Sequence, residues 1–65
     1  MHLRFRELRE EHKLSQSEIA KILHVSQQTY SRYELHKTEI PLEKLVYLAK
    51  FFDTSVDYLL GVEKE

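Results

Sequence analysis

The sequence has no cysteine and no tryptophan, and only one glycine (Gly61) and one proline (Pro41) in 65 residues. Without cysteine, disulfides, thiolate zinc sites and cysteine nucleophiles are excluded. The absence fits a reducing cytoplasm, which is the expected location. So few chain breakers do not supply the tight turns of a sheet; they suit short helices with capped ends. A single glycine also rules out a glycine-rich phosphate loop. No apolar run approaches the ~20 residues of a membrane span, and the charged start, Met1 to Arg6, lacks a signal peptide's apolar core. A charge excess of one sign is missing too, because the net charge is −1 with histidines neutral. DNA-binding domains commonly carry a basic excess, so charge alone argues mildly against a nucleic-acid partner.

That charge is unevenly placed. Residues 1–37 carry seven Lys/Arg against five Glu, whereas residues 38–65 carry three Lys against six acids. Any phosphate binding must therefore come from local placement and not from a global field. Hydrophobic residues make up 42% and charged residues 32%, a globular balance and not that of a disordered tail. A chain this short buries only ~60% of its unfolded surface, so one domain over 1–65 is expected and its core must be efficient.

The pattern predicts five helices. A first, from about Leu3 to Lys13, has Phe5 and Leu8 on one side, extended by Leu3 and His12. Ser15 to Glu18 forms a capping box, with Leu14 and Ile19 as a hydrophobic staple. The helix it opens, Gln16 to Leu23, turns Ile19, Ala20 and Leu23 to one side. Ser26 caps the next helix, Gln27 to about Leu35, with Val25 and Tyr30 as a second staple. Pro41 stands at the start of a fourth helix whose inward residues read Leu42, Leu45, Leu48, Ala49 and Phe52. Ser55 caps a fifth, with Val56, Leu59 and Leu60, ended by Gly61. Residues 62–65 are expected to fray.

The segment from about 16 to 35 has the requirements of a helix-turn-helix. Only His24, Val25 and Ser26 separate its helices, so they meet at a sharp angle. Ala20 is small where the helices cross, and Ile19, Leu23, Val25 and Tyr30 are apolar around the turn. The second helix is polar outward, as a helix entering the major groove must be. Glutamine can bond adenine bidentately and arginine can bond guanine, so Gln27, Gln28 and Arg32 are the candidate base contacts. By itself the glutamine pair also suits a plain solvated helix face.

The run from Leu14 to Glu34, LSQSEIAKILHVSQQTYSRYE, closely resembles the phage repressor and Cro-like helix-turn-helix family, also called the Xre family. The resemblance continues through LVYLAKFF at 45–52 and VDYLLG at 56–61, so it extends from Phe5 to Gly61. It implies a compact five-helix, all-α, lambda-repressor-like domain that binds double-stranded operator DNA, generally as a homodimer on a two-fold site. Carried over by position, Gln16 would bond a phosphate, and Thr29, Ser31 and Lys37 would lie near the backbone. Arg9 and Glu34 match a family ion pair tying helix 1 to the recognition helix. Tyr33, between core and surface, is placed to put its hydroxyl on a phosphate. The dimer surface is expected on helix 5 and the end of helix 4, with Phe51, Val56, Tyr58 and Val62.

Two positions depart from the family pattern. His24 and His36 stand where glycine is common and ask for a left-handed backbone, which non-glycine residues adopt at a cost of roughly 1–2 kcal/mol. Both flank the recognition helix, so their protonation is expected to strengthen DNA binding. Glu39 adds a negative charge near Lys37, against phosphate binding.

Other chemistries have less to stand on. His2, His12, His24 and His36 are ten or twelve residues apart, without ligand spacing, so no metal or cofactor is expected. Ser15, Ser26 and Ser55 act as caps, not nucleophiles, and a domain this small leaves little room for a ~300 Å³ pocket. The chain is not expected to be an enzyme. Tyr30 and Tyr47 are expected to pack inward. The alternative to DNA reading is a protein-interaction module, an antitoxin or adaptor on the same fold, whose acidic C-terminal half binds a partner protein. Loss of Gln27, Gln28 and Arg32 would leave an adaptor working and disable a DNA reader.

Overall fold

The computed structural model describes residues 4–61, and all regular structure among them is helical. The helices are α1 (Phe5–Glu11), α2 (Gln16–Leu23), α3 (Gln27–Glu34), α4 (Leu42–Phe51) and α5 (Val56–Leu60). Three starts are set by serine hydroxyls. Ser15 accepts from the Glu18 amide while Glu18 reaches back to the Ser15 amide, completing the capping box; Ser26 and Ser55 accept from the Thr29 and Tyr58 amides. Pro41 is the residue before α4 and begins it without a side-chain cap.

The helix ends share a device that the sequence revealed only in part. Lys13, His24, His36 and Asp53 all have φ between 56° and 61°, and Gly61 has φ 73°. Each of the four non-glycine residues lets the next amide reach back five residues: Leu14 to Arg9, Val25 to Ala20, Lys37 to Arg32 and Thr54 to Ala49. These bonds satisfy carbonyls that a helix end leaves open. The left-handed geometry expected at His24 and His36 is present. Lys13 and Asp53 do the same after α1 and α4. Lys13 thereby ends α1 at Glu11, two residues short of the expected boundary.

The core joins Phe5 of α1, Ile19, Ala20 and Leu23 of α2, Tyr30 and Tyr33 of α3, Leu45, Leu48 and Ala49 of α4, Phe52, and Leu59 of α5. The α2–α3 pair packs together, and α4 rests on both α2 and α5. The Arg4 amide donates to the Leu59 carbonyl at 2.8 Å, joining the start of α1 to α5. Lys44 Nζ donates to the Leu23 carbonyl at 2.7 Å, closing the end of α2 from the neighbouring α4.

Two inward assignments on α4 are corrected. Leu42 is 68% exposed and Tyr47 49% exposed. Leu42 is the first residue of its helix, where the side chain leans toward the N-terminus and off the end of the neighbouring helices. Tyr47 stands about 100° around the helix from Leu48, outside the buried stripe. His12 is exposed rather than inward, although its ring lies 4.9 Å from that of Phe52. Leu3 and Val62 lie outside the described residues.

Candidate nucleic-acid interface

The cap at Ser26 determines what α3 presents. With Ser26 outside the helix, Gln27 and Gln28 become its first two residues and both are exposed. Arg32, one turn later, is exposed as well, while Tyr30 and Tyr33 turn inward. At the other end, the left-handed His36 folds the chain back so that the Lys37 amide meets the Arg32 carbonyl at 3.0 Å. The result is an open concave face of about 550 Å³ lined by Gln16, Gln27, Gln28, Ser31, Arg32, Leu35 and Lys37. It is larger than the size of the domain led us to expect, and it lies open on the surface.

Six of the expected contacts therefore meet on one face. Two do not. Thr29 is half-buried, and its hydroxyl accepts from that of Ser26 at 2.9 Å, within the cap. Tyr33 is 5% exposed, with its ring edge-on to Tyr30 at 6.3 Å, so its intermediate placement is corrected to core packing. Leu35, 56% exposed, was not singled out from sequence. Read as the helix's last apolar residue it carries no local signal; only the turn at His36 puts it on the rim.

Beneath this face lies a polar tie. Arg9 Nε donates to Glu34 Oε2 at 2.7 Å and its second terminal nitrogen to Oε1 at 3.2 Å, a forked pair. The remaining arm of Arg9 donates to the Leu14 carbonyl at 2.8 Å. Gln16 Nε2 also donates to Glu34 Oε1, at 2.9 Å. The side chains of Arg9 and Glu34 are 11% and 3% exposed. The expected Arg9–Glu34 pair therefore ties α1 to the end of α3, and it also holds Gln16 at the edge of the concave face. One amide hydrogen of Gln16 faces Glu34, leaving the other for an outside acceptor.

Burial by itself pushes the Glu34 pKa up. The hydrogen bonds from Arg9 and Gln16, the adjacent Tyr30 hydroxyl and the guanidinium charge outweigh it, so the pKa is lowered overall. The bond to Glu34 raises that of Arg9 against the effect of burial. Burial, then the neighbouring carboxylate, push the Tyr30 hydroxyl well above its usual range, and it makes no hydrogen bond of good geometry. The Tyr30 phenol and the Arg9–Glu34 ion pair thus pack together beneath α3. Among the described residues no group of His, Asp or Glu is arranged to hold a metal ion, and no helix is long and apolar enough to cross a membrane.

A family model described as helix-turn-helix, of the Cro/C1 type, matches residues 5–59. The chain belongs to this helix-turn-helix family. Among its relatives, an uncharacterized HTH-type transcriptional regulator of Bacillus subtilis, YobD, is 42% identical over 59 residues, covering 91% of this chain and 53% of YobD. AnsR, an HTH-type transcriptional regulator of the same organism, is 40% identical over 62 residues, covering 95% and 53%. The chain thus spans about half the length of these relatives. Among solved structures, the P22 c2 repressor in complex with synthetic operator 9T matches with a TM-score of 0.83 and 33% identity. That match covers 97% of this chain and all of the repressor chain. A transcriptional regulator from Listeria innocua matches with a TM-score of 0.84 and 37% identity, over 92% of this chain and 56% of its own. The fold is that of the lambda, 434 and P22 repressor DNA-binding domains.

Proposed function

We propose that the chain is a sequence-specific reader of double-stranded DNA that regulates transcription in the cytoplasm, as a repressor. The observation that carries this reading is the single concave face on which α3 exposes Gln27, Gln28 and Arg32 beside Gln16, Ser31 and Lys37. In it, α3 enters the major groove; the two glutamines and Arg32 address base edges, each good bidentate contact contributing ~1–3 kcal/mol of discrimination. Gln16, Ser31 and Lys37 address phosphates and set the register. Thr29 and Tyr33 support the helix from behind. The likeness to a repressor solved on its operator supports the same reading.

Two copies read a pseudo-palindrome with half-site centres ~34 Å apart. On the expected dimer surface, Val56 and Tyr58 of α5 are half-buried, and the Arg4 guanidinium lies 4.7 Å from the Tyr58 ring centre. Phe51 remains available at 45% exposure.

The near-neutral charge keeps the protein-interaction module as a second reading. Selection of bound duplexes from a random pool, beside a Gln27→Ala/Gln28→Ala/Arg32→Ala variant, separates the two. The DNA reading expects a two-fold motif that the variant does not enrich. No enrichment at low salt by folded protein favours the interaction module.

A further inference from the structure

One apolar side chain stands among the polar ones on the concave face. Leu35 is 56% exposed and lines that face together with Gln28, Ser31, Arg32 and Lys37. A leucine exposed singly on a protein surface is ordinary. The place of this one is not. Its amide donates to the Ser31 carbonyl at 3.0 Å, so Leu35 continues the register of α3 although it caps the helix. At about 100° per residue, Gln27, Ser31, Leu35, Gln28 and Arg32 follow one another around an arc of about 140°, with Leu35 about 20° from Gln28. Leu35 therefore occupies the middle of the arc and not its margin. The left-handed His36 then turns the chain back toward Arg32 and leaves the leucine open.

Leucine has no donor or acceptor with which to address a polar base edge. Among the groups that base pairs display in the major groove, the apolar one is the C5 methyl of thymine. Along the helix axis Leu35 lies about 4.5 Å past Arg32 and about 10 Å past Gln28, so it meets a different base pair from the glutamines. We infer that Leu35 is a further specificity-determining residue, whose side chain packs on a thymine methyl group at one position of each half-site. The inference rests on the proposed reading, with α3 in the major groove, and adds to it a base contact made without hydrogen bonds.

The test uses the 65-residue chain and a duplex taken from the random-pool selection. Each thymine is replaced in turn by deoxyuridine in both half-sites, which removes the methyl group and keeps the hydrogen-bonding edge. Affinities are measured for wild type and Leu35→Ala at one fixed salt concentration. Wild type is expected to lose about fourfold per half-site at one position, the effect of withdrawing one methyl group from an apolar contact. Leu35→Ala is expected to bind the thymine and uracil duplexes alike at that position. Leu35 lies outside the core cluster, so the variant should melt near wild type. A duplex whose binding needs Gln27, Gln28 and Arg32, but which tolerates uracil at every position, overturns this inference alone. So does a uracil-sensitive position that stays sensitive in Leu35→Ala, because another residue then reads the methyl. A Leu35→Ala loss shared equally by all duplexes also overturns it, and moves Leu35 to the sugar-phosphate backbone. Failure of the pool to yield any duplex overturns the DNA reading and this inference together.

Discussion

Replacing Glu34 with alanine should damage stability before it touches base preference. Glu34 accepts two bonds from Arg9 and one from Gln16 with its side chain only 3% exposed. Its removal leaves a guanidinium that is 11% exposed, held by the Leu14 carbonyl and by Glu10 at 3.9 Å. Breaking a buried pair by deleting one partner costs ~3–5 kcal/mol. Arg9 retains some contact with water, so about 3 kcal/mol is the appropriate end of that range. A domain of this size has roughly 3–10 kcal/mol in total, and each kcal/mol moves Tm by ~4–8 °C. Glu34→Ala should therefore lower Tm by roughly 12–24 °C, read by circular dichroism. Replacing both partners with apolar residues, Arg9→Met/Glu34→Leu, should recover most of the loss, because no charge is then left unpaired. Tm within ~3 °C of wild type for Glu34→Ala would refute the argument, since such a change is the size expected of an exposed pair.

The same carboxylate makes stability pH-dependent in a known direction. Its pKa is lower folded than the ordinary 4.5, so its contribution is fully present above that value and lost as pH falls through the folded one. Urea midpoints measured between pH 7 and 3 should fall less steeply in Glu34→Gln than in wild type; parallel slopes would contradict this. At the left-handed positions, glycine removes a cost of ~1–2 kcal/mol but adds backbone entropy of ~0.5–1 kcal/mol. The net gain is at most about 1.5 kcal/mol, so His36→Gly should raise Tm by up to roughly 12 °C. Lys13→Gly should raise it further, because histidine and aspartate tolerate this region better than lysine; a lower midpoint for either would contradict the backbone assignment. Lys37→Ala should weaken binding to all duplexes alike and reduce the salt slope by about 1. A loss confined to one sequence would move Lys37 to the base-reading set.

The serine caps and staples were legible because their information is local. A hydroxyl and the amide three residues on lie in one short string, as at Ser15, Ser26 and Ser55. The positions of Gln27, Gln28 and Arg32 followed from the cap at Ser26. The Arg9–Glu34 pair spans 25 residues and was visible only through family resemblance. Nothing local marks Lys44 as the residue that closes α2, 21 positions away. Lysine does not announce a left-handed turn and aspartate does so only weakly, so at Lys13 and Asp53 the geometry after each helix shows what the residue types do not. On α4, leucine content suggested burial for Leu42, and aromatic character did so for Tyr47. Which residues are covered depends on where the neighbouring helices end, and the sequence does not show that.

The proposed reading assigns base recognition to the exposed face of α3. Its most direct test is the ratio of affinities for a selected duplex and a scrambled one, for wild type and for Gln27→Ala/Gln28→Ala/Arg32→Ala, at one fixed salt concentration. These residues make no stabilising contact with the core, so the variant should melt near wild type. The ratio should collapse toward one while scrambled binding persists, weakened by no more than the loss of one cation. An unchanged ratio in the folded variant would mean that α3 does not read the sequence.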